Sequence, residues 1–402
     1  LHSSGGVFLA YVSPGQVLAA HCSDTSTAAG VWRTSGSGID RVYSGNTDEV
    51  LNAVAIEYIS VAMLTSTKAV CVFKNTSTTF LNAVILNYGS ASGTPSAINA
   101  EVSNYISVAA QTSTQATVSY KNATNVTKGY VLDVSGNVIT PGSVATIEAT
   151  ADGIGTNLAV ISSTQLVCAY QNVGSGTIRV KILDIAASAI TPGSETVVDA
   201  TTSSGQYIQV SVLSAAKVLI TFMNTSSITE LKLMSIAGSA LTATGTVLTL
   251  SAPGTEPNLP VVAVAVSSTR VLVAQALDIT IGDIYLSLFD VSSTSPVLMR
   301  NSTIFTGLGD TQQVYIGNLI KLSAGVFFLN WSTGSLKVDG MVIRITSDDR
   351  LLLTEVSDKL DSDSGANGQF RTAGTTLDST HIMQATRNSS GYLSAKTLEI
   401  AI

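Results

Sequence analysis

The decapeptide Ser163–Asn172, STQLVCAYQN, decides the fold, because copies of it recur along the whole chain. Ser66–Asn75 (STKAVCVFKN) and Ser113–Asn122 (STQATVSYKN) repeat it closely. Looser copies lie at Pro14–Ser23, Ala215–Asn224, Ser268–Leu277, Ser323–Ser332 and Ser379–Asn388. Each copy reads as a turn, a short strand and a second turn. Measured at the eighth residue, successive copies are 47 to 56 residues apart, which predicts a repeat protein.

One period contains four segments of strand-like composition. In the fourth copy these are Asn157–Ile161, Gln165–Tyr170, Thr177–Ile185 and Ser194–Ala200. Turn residues separate them at 162–163, 173–176 and 191–194, the last being Thr-Pro-Gly-Ser. The second segment is apolar at consecutive positions, which is typical of a strand covered on both faces. Hairpin turns between short strands favour antiparallel sheets over the shorter coils of a β-solenoid.

The predicted fold is all-β: a β-propeller of four-stranded antiparallel blades with about eight repeats of about 50 residues. Seven blades plus an irregular terminal piece is the second choice. A single propeller is expected over residues 1–402, with repeats near 1–50, 51–99, 100–150, 151–200, 201–254, 255–310, 311–360 and 361–402. The last repeat has no room for a fourth strand, so an upstream segment or a short final blade would close the ring. The start at Leu1, without Met or a basic segment, is expected to be a processed or truncated end.

The composition argues against several classes of function. Only 12% of the residues are charged and the net charge is -7, with 20 Lys and Arg that form no run, so no nucleic-acid surface is expected. Polar residues interrupt every apolar stretch before it reaches the roughly 18 residues of a membrane span, so no membrane insertion is expected. Cys22, Cys71 and Cys168 have neither disulfide nor zinc spacing and are interpreted as core residues.

Two polar residues recur with the repeat. The asparagine at the tenth position begins an N-x-S/T sequon in several copies but not at Asn172, so it is interpreted as a turn residue. Glycosylation is the alternative in a secreted eukaryotic protein. An aspartate also recurs at the end of the third segment, as Asp133, Asp184 and Asp290. We expect it to accept backbone N–H groups at a strand end rather than to form a ring of ligands.

Ligand-binding residues are sought where aromatic rings could stack on sugars and where the repeats differ. Rings inside the repeated strand, such as Phe73, are assigned to packing. Rings nearer to predicted strand starts or turns are better candidates, namely Tyr43, Tyr58, Tyr105, Tyr207, Tyr315 and Trp331. Carboxylates in connecting loops near the expected channel mouth complete the set. The predicted ligand-binding residues are therefore Trp331, Tyr315, Asp310, Glu256, Asp152 and Tyr207.

The longest departure from the repeat is the segment 358–376, DKLDSDSGANGQFRTAGTT. Asp361, Asp363 and Asn367 place oxygen ligands around Gly365, as calcium loops do, although the EF-hand pattern and its distal glutamate are missing. Calcium is therefore the one cofactor considered, and a solvated acidic loop is the alternative. The sequence has no G-x-S-x-G elbow, H-E-x-x-H pair or phosphate-binding loop, so no catalytic residue is assigned.

The hydroxyl-rich, charge-poor repeats, with strands such as 163–172, resemble propeller domains of bacteriophage tail or virion proteins and of secreted bacterial adhesins. The resemblance covers nearly the whole chain, but WD, kelch and Asp-box signatures are missing, so it assigns no site residues. It implies a non-catalytic structural or binding module, on a virion or extracellular, that docks a protein partner or a host surface glycan and could oligomerise. The alternative is a carbohydrate-active hydrolase or lyase that uses the channel-mouth carboxylates. An intracellular scaffold is a third hypothesis.

Overall fold

The computed structural model describes residues 7–13, 16–22, 27–35, 38–40, 49–52, 56–65, 68–75, 77–87, 93–149, 153–172, 174–199, 208–224, 226, 228–250, 261–276, 283–304, 314–333, 338–355, 373–376, 381–387 and 393–399. Within these residues every regular element is a β-strand. Among them there is also no helix with the length and hydropathy of a membrane span.

The described strands form eight antiparallel sheets, which we number in chain order. Sheet 1 contains β1 (Val7–Ser13), β2 (Gln16–Cys22), β3 (Thr27–Ser35), β4 (Gly38–Asp40) and β5 (Glu49–Asn52). Sheet 2 contains β6 (Ile56–Thr65), β7 (Lys68–Asn75), β8 (Phe80–Asn87) and β9 (Ser96–Val102). Sheet 3 contains β10 (Asn104–Thr112), β11 (Gln115–Lys121), β12 (Thr127–Ser135), β13 (Val138–Pro141) and β14 (Ala145–Glu148). Sheet 4 contains β15 (Gly153–Ser162), β16 (Gln165–Asn172), β17 (Thr177–Ala186), β18 (Ala189–Pro192) and β19 (Thr196–Asp199).

The second half of the chain is built in the same way. Sheet 5 contains β20 (Gln209–Ser214), β21 (Lys217–Met223), β22 (Thr229–Ala237) and β23 (Ala240–Leu250). Sheet 6 contains β24 (Val261–Ser267), β25 (Arg270–Ala276), β26 (Ile284–Asp290) and β27 (Val297–Ile304). Sheet 7 contains β28 (Val314–Ser323), β29 (Val326–Thr333), β30 (Val338–Ile345) and β31 (Leu351–Glu355). Sheet 8 contains β32 (Ala373–Thr376), β33 (His381–Arg387) and β34 (Leu393–Glu399).

Sheets 1 to 7 are meanders, with the first strand at one edge and the fourth position at the other. In sheets 1, 3 and 4 two short strands share the fourth position, and both pair with the third strand, as β13 and β14 do with β12. Sheet 5 has one long fourth strand, β23, whose pairing register shifts opposite Leu231 and Leu233. Four strand positions per sheet agree with the predicted four-strand period, and sheet 8 has three described strands.

The first strands of neighbouring sheets contact one another in chain order, from β1 and β6 through to β28 and β32, and β32 contacts β1. The sheets therefore stand side by side in a propeller-like arrangement, with the first strands innermost. This confirms the prediction of an all-β chain built from four-stranded antiparallel sheets.

Strand β16, which carries the opening decapeptide, is buried on both faces. Because successive side chains of a strand point to opposite faces, its apolar run divides between two junctions. Leu166, Cys168 and Tyr170 pack in a cluster with residues of sheet 3. Val167 and Ala169 pack in a different cluster with residues of sheet 5. All five are 0% exposed, so the consecutive apolar residues follow from a strand held between two neighbouring sheets.

Polar side chains of the first strands join neighbouring sheets where no ladder continues. In each case a side-chain oxygen of one first strand accepts a hydrogen bond from a backbone N–H of the next. The acceptor and donor residues are Ser60 and Val108, Ser107 and Leu158, Asn157 and Val210, and Gln209 and Ala263, with distances of 2.6 to 3.1 Å. These bonds satisfy backbone groups at the inner edge of each sheet.

A long polar side chain at the start of the second strand reaches the turn between the third and fourth strands of the next sheet. Gln115 Nε2 donates to the carbonyl of Ala187 at 2.9 Å and also to Asp133 Oδ1 at 2.8 Å. Equivalent bonds to turn carbonyls join Lys68 to Gly136, Gln165 to Gly238 and Lys217 to Val291. The first residue of the repeated strand therefore fastens sheets 2, 3, 4 and 5 each to the next sheet.

Glycines of the fourth position lie directly against the same turns. A Cβ added at Gly193 would lie 2.5 Å from Ser239 O, and one at Gly93 would lie 2.9 Å from Asn137 O. The prediction that 191–194 separates the third strand from the fourth is wrong, because this segment separates β18 from β19 within the fourth position. Proline offers no N–H to the ladder there, and glycine admits the neighbouring backbone.

The recurring asparagine is a turn residue, as predicted. Asn122 Oδ1 accepts hydrogen bonds from the backbone N–H groups of Thr124 and Val126 at 3.1 and 2.9 Å. Corresponding bonds are made by Asn75, Asn172 and Asn224. Its side chain therefore holds the turn between the second and third strands.

The recurring aspartate has two roles rather than one. Asp290 Oδ1 accepts the backbone N–H of Ser292 at 2.7 Å, as predicted. Asp133 and Asp184 instead accept the side-chain amides of the glutamines that fasten neighbouring sheets, each at 2.8 Å. The expectation of a backbone acceptor is therefore wrong for these two positions, where a glutamine begins the second strand.

The cysteines with described side chains are core residues, as predicted. Cys71 and Cys168 are 0% exposed and form no disulfide. Burial raises the pKa of the Cys168 thiol to about 12, so the thiol stays protonated at neutral pH.

Candidate functional site

A bulge begins the first strands of sheets 2, 3 and 4. The pairing register shifts at the start of β6, β10 and β15. The residues with a left-handed backbone at these bulges are Tyr58, Tyr105 and Gly155, with φ of 52°, 50° and 63°. Glycine adopts this conformation readily, whereas a tyrosine held there costs about 1 kcal/mol or more. Such strain tends to cluster at functional sites, which makes the two tyrosines the first candidates.

The two tyrosine rings contact each other across the junction of sheets 2 and 3. Their centroids are 5.4 Å apart and their planes are inclined by 44°. Lys74 Nζ lies 5.5 Å from the centroid of the Tyr58 ring, and Lys121 Nζ lies 5.4 Å from that of Tyr105. Lys74 Nζ also donates a hydrogen bond to Asn104 Oδ1 at 2.9 Å. We call these five half-buried residues the tyrosine-pair site.

The repeat explains how these side chains come together. Lys74 and Lys121 occupy the same place in the second strand, directly after its buried aromatic residue. In the antiparallel pairing Lys121 lies opposite Asn104, the residue that precedes the bulged Tyr105. The second strand therefore supplies a cation, and the entry to the first strand supplies a ring.

The tyrosine-pair site combines aromatic, ammonium and amide groups. Aromatic faces can pack on the C–H groups of a sugar ring, while ammonium and amide groups bond oxygen atoms. Elsewhere in the part of the chain that the structure describes, no group of three or more His, Cys, Asp or Glu side chains could hold a metal ion.

Of the predicted ligand-binding residues, the structure describes the side chain of Trp331 alone. Trp331 lies in β29, packed in the core of sheets 6 and 7 and 4% exposed, which favours packing over sugar stacking. Tyr315 lies in β28 opposite Ser332, and its side chain is outside the described residues. Also outside the described residues are Tyr43, Asp152, Tyr207, Glu256 and Asp310, and the calcium candidates Asp361, Asp363 and Asn367.

Sequence analysis named the two rings of the tyrosine-pair site among its aromatic candidates but left them out of the final set of predicted ligand-binding residues, and it missed the cations and the amide. The signal for the rings is the triplet Tyr-Ile-Ser at 58–60 and 105–107. Tyr207 precedes Gln209 as Tyr105 precedes Ser107, and Gln209 and Ser107 make the same bond to the next first strand. In the sequence, Tyr207 is therefore the counterpart of Tyr105. In sheet 7 the corresponding register shift lies at Gly317, two residues after Tyr315.

Carboxylates occupy each of three successive sheet junctions. At the junction of sheets 2 and 3, Tyr120 OH donates to Glu101 Oε1 at 2.6 Å, and Lys128 Nζ lies 3.0 Å from both oxygens of Glu101. Burial alone would raise the pKa of Glu101, but the hydrogen bonds from Tyr120, Lys128 and Asn122 hold it below its ordinary value. Glu101 therefore stays ionised and hydrogen-bonded at this junction.

Two carboxylates meet one hydroxyl at the junction of sheets 3 and 4. Tyr170 OH lies 3.0 Å from Glu148 Oε2 and 2.6 Å from Glu195 Oε2. Lys181 Nζ lies 3.0 Å from Glu148 Oε2, and Arg179 bonds to Glu195. Burial and the neighbouring carboxylates raise the pKa of Tyr170, which keeps its hydroxyl protonated as a donor. The two negative and two positive charges balance, which is the pattern of a structural junction.

The junction of sheets 4 and 5 has a buried carboxylate where the previous junction has a cation. Phe222 stands where Tyr170 stands in sheet 4, and Glu230 stands where Arg179 stands, so each pairs with the other in register. Glu230 is 6% exposed, and its Oε1 accepts a hydrogen bond from Asn224 Nδ2 at 2.8 Å. Burial raises the pKa of Glu230 and the adjacent Asp199 raises it further, although Asn224 lowers it. Two residues further along, Lys232 Nζ donates a hydrogen bond to Gly245 O.

Replacing Glu230 with glutamine is expected to stabilise the protein at about pH 8 by about 1 kcal/mol, because an amide can donate to Asp199 without carrying charge. The raised pKa means that the stability from protonated Glu230 is complete below its unfolded pKa, near 4.5, and is lost as the pH rises through the folded value. The gain from Glu230→Gln should therefore shrink toward about pH 4. Thermal unfolding across this pH range measures it.

Glu101→Gln is the matched control with the opposite sign. Because the pKa of Glu101 is lowered, its stabilising contribution is present above the unfolded value and is lost as the pH falls through the folded one. Glu101→Gln should therefore destabilise at about pH 8 and less so at about pH 4. If the stability of the two variants changed with pH in the same direction, the assignment of opposite pKa shifts to Glu230 and Glu101 would be contradicted.

The chain resembles lectins of known structure. No protein-family model matches it, and no curated protein sequence matches it. The lectin BP39L from Burkholderia pseudomallei aligns with 100% of this chain and 97% of its own, at 10% identity and a TM-score of 0.53. A lectin of Aleuria aurantia in complex with Fucα1-6GlcNAc aligns with 74% of this chain and 94% of its own, at 12% identity and 0.45. SapL1 lectin in complex with α-methyl fucoside aligns with 75% of this chain and 96% of its own, at 13% identity and a TM-score of 0.45. The likeness to BP39L is one of fold, in keeping with the propeller-like arrangement of sheets.

Proposed function

We propose that this chain is a non-catalytic carbohydrate-binding module that docks a surface glycan through the tyrosine-pair site. The observation that carries the proposal is the placement of Tyr58 and Tyr105. Both rings are held in a left-handed backbone conformation at equivalent bulges where sheet 4 has Gly155, and they contact each other at 5.4 Å. Tyr58 also packs against the core cluster of sheets 2 and 3, but a blade forms with glycine in the same place and without strain, so the fold does not require a ring there.

The fold and the composition support the same function. One solved structure that aligns with the whole of this chain is a lectin by name. Solubility through hydroxyl and amide groups, with only 12% charged residues, suits a virion or cell exterior, and we propose that location. Tail or capsid genes flanking the coding sequence would support the virion reading.

Replacing Tyr105 with glycine is expected to weaken glycan binding by roughly tenfold while the fold is kept. Glycine occupies the equivalent bulge in sheet 4, so the substitution relieves backbone strain as it removes the ring. A glycan array would identify ligands, and calorimetric titration of the best one would compare the variants. Tyr285→Ala, which removes a half-buried ring from β26 of sheet 6, is the control and should bind as the wild type does.

Two results would count against the proposed function. One is an array with no bound glycan. The other is a ligand whose affinity is the same for the wild type and Tyr105→Gly, since binding would then lie elsewhere.

A hydrolase or lyase receives less support than a binding module. Among the described carboxylates that lie close together, Glu148 and Glu195 are neutralised by Lys181 and Arg179 and share the buried Tyr170 hydroxyl. Glu230, which lies beside Asp199 and has a raised pKa, is only 6% exposed. A catalytic pair needs one carboxyl group to hold a proton and the other to reach the substrate. Glu148 and Glu195 are held in ion pairs, and Glu230 is buried at a sheet junction, so neither pair offers both functions to a substrate.

We also propose that eight blades close the ring. The support is that the described strands form eight sheets whose first strands are in cyclic contact, including β32 with β1. Class averages of the particle viewed along its axis by electron microscopy would count the blades, and a count of seven would favour the alternative with an irregular terminal piece.

A further inference from the structure

We propose that Thr156 and Ser119 are positioning residues of the tyrosine-pair site, which hold the backbone of Tyr105 in the conformation that presents its ring; this inference rests on the proposed function. Thr156 lies in β15 of sheet 4, and its Oγ1 donates a hydrogen bond to the carbonyl of Tyr105 at 2.7 Å. Ser119 lies in β11 and donates to Thr156 Oγ1 at 3.0 Å. The rings and cations of the site belong to sheets 2 and 3, but its geometry therefore depends on sheet 4 as well.

The direction of the two hydrogen bonds follows from the groups that make them. A carbonyl oxygen can only accept, so the single hydroxyl proton of Thr156 is committed to Tyr105. Thr156 Oγ1 then accepts the proton of Ser119. Thr156 is 6% exposed and Ser119 is 0% exposed, so both hydroxyls are shielded from solvent, and each bond polarises the next.

The carbonyl of Tyr105 belongs to a strained backbone. The pairing register of β10 and β11 shifts between Asn104 and Ser107, so Tyr105 lies inside the bulge. Its φ of 50° is costly for a residue with a side chain. Relaxation of this backbone would turn the carbonyl away from Thr156 and would also move the ring away from Tyr58, which it meets at 5.4 Å. The hydroxyl of Thr156 therefore favours the conformation that forms the site.

Sheets 4 and 5 form the equivalent junction without these hydroxyls. The pairing registers put Ile208 in the place of Thr156 and Ala169 in the place of Ser119. The bulge at that junction contains Gly155, which has little strain to offset and no ring to present. The two hydroxyls thus accompany the strained tyrosine of sheet 3, and the fold does not require them.

The first test needs no ligand. In protein labelled with fluorotyrosine, the fluorine NMR resonance of Tyr105 is the one lost in Tyr105→Gly. Thr156→Val keeps the shape of the side chain and removes the donor, so the Tyr105 resonance should broaden or shift toward that of free fluorotyrosine. Thr156→Ser keeps the donor and should restore the wild-type resonance. Ser119→Ala removes only the outer bond and should have a smaller effect.

The second test measures binding on a glycan array over a series of protein concentrations. Thr156→Val should bind roughly fivefold more weakly than the wild type, because only a fraction of the molecules would hold the ring in place. In the Tyr105→Gly background the same substitution should leave binding unchanged. Ser211→Ala is the matched control, since the 7% exposed Ser211 donates to Ala263 O at 3.2 Å across the junction of sheets 5 and 6, and it should bind as the wild type does.

The outcomes separate this inference from the function on which it rests. An unchanged Tyr105 resonance in Thr156→Val would overturn the inference whatever the array shows. So would a loss of binding on Thr156→Val that persists in the Tyr105→Gly background, because the hydroxyl would then act through general stability. An array with no bound glycan, together with a shifted resonance that Thr156→Ser restores, would overturn the proposed function and support the positioning of Tyr105.

Discussion

Substituting alanine for Gly142 is expected to destabilise the fold by about 3 kcal/mol. Gly142 lies between β13 and β14, and an added Cβ would overlap the carbonyl oxygen of Ser188, in the turn between the third and fourth strands of sheet 4. Both of the colliding groups belong to, or are fixed by, the backbone, so relief requires one sheet to move against the next. Urea denaturation should show a lower midpoint, with the slope unchanged.

Gly136→Asn is the control for this substitution. Gly136 has a φ of 62°, but no atom lies within 4 Å of an added Cβ. Asparagine tolerates the left-handed region, so the cost should be about 1 kcal/mol or less. If Gly142→Ala proved as stable as Gly136→Asn, the sheets would not be in the close contact described at this point.

Replacing Lys181 with methionine is expected to cost about 3 kcal/mol, the second large effect. The Lys181 and Glu148 side chains are 14% and 9% exposed, and Nζ lies 3.0 Å from Glu148 Oε2 and 2.7 Å from Ile147 O. Methionine keeps the length of the side chain but leaves Glu148 without its cation, beside the carboxylate of Glu195. The loss is measured by chemical or thermal denaturation at neutral pH.

The comparison with Lys128→Met separates burial from charge. Lys128 and Glu101 form the equivalent pair one junction earlier, at 23% and 31% exposure, so the cost there should be nearer 1 kcal/mol. In addition, Glu148→Gln in the Lys181→Met background should recover part of the loss, because it removes the unpaired charge. Equal costs for Lys181→Met and Lys128→Met would show that the junction of sheets 3 and 4 is more hydrated than its exposed area indicates.

Much of the fold followed from the repeated decapeptide alone. The strand predicted at 165–170 is β16, and that predicted at 177–185 is β17, each within two residues of the described ends. These strands were predictable because their apolar runs and flanking turns are local in sequence. The fourth strand was predicted less well, since its division around Pro192 and Gly193 depends on contact with Ser239 of the next sheet.

The candidate site was predicted only in part. Tyr58 and Tyr105 were among the aromatic candidates because they lie near predicted strand starts or turns, but the final set of predicted ligand-binding residues did not include them. Lys74, Lys121 and Asn104 were not selected, because each is an ordinary polar residue at a strand end. Trp331 was selected for its ring, yet it is packed between sheets 6 and 7. Side-chain exposure depends on which sheet covers a strand end, and no local pattern records that.

By itself, the sequence determined the class and the unit of this protein: an all-β chain whose period of about 50 residues contains four strand positions, with the second strand buried on both faces. Those properties follow from turn residues and apolar runs within one repeat. The tertiary structure alone decided what happens between repeats. It placed Gly142 in contact with Ser188 and paired the charges around Tyr170. It also buried the Glu230 carboxyl and brought two strained tyrosine rings together near two lysines. The physical reason is that these contacts join residues of different sheets, from 22 positions apart for Glu148 and Tyr170 to 47 for Tyr58 and Tyr105, and their distance in space is set by the packing of one sheet on the next.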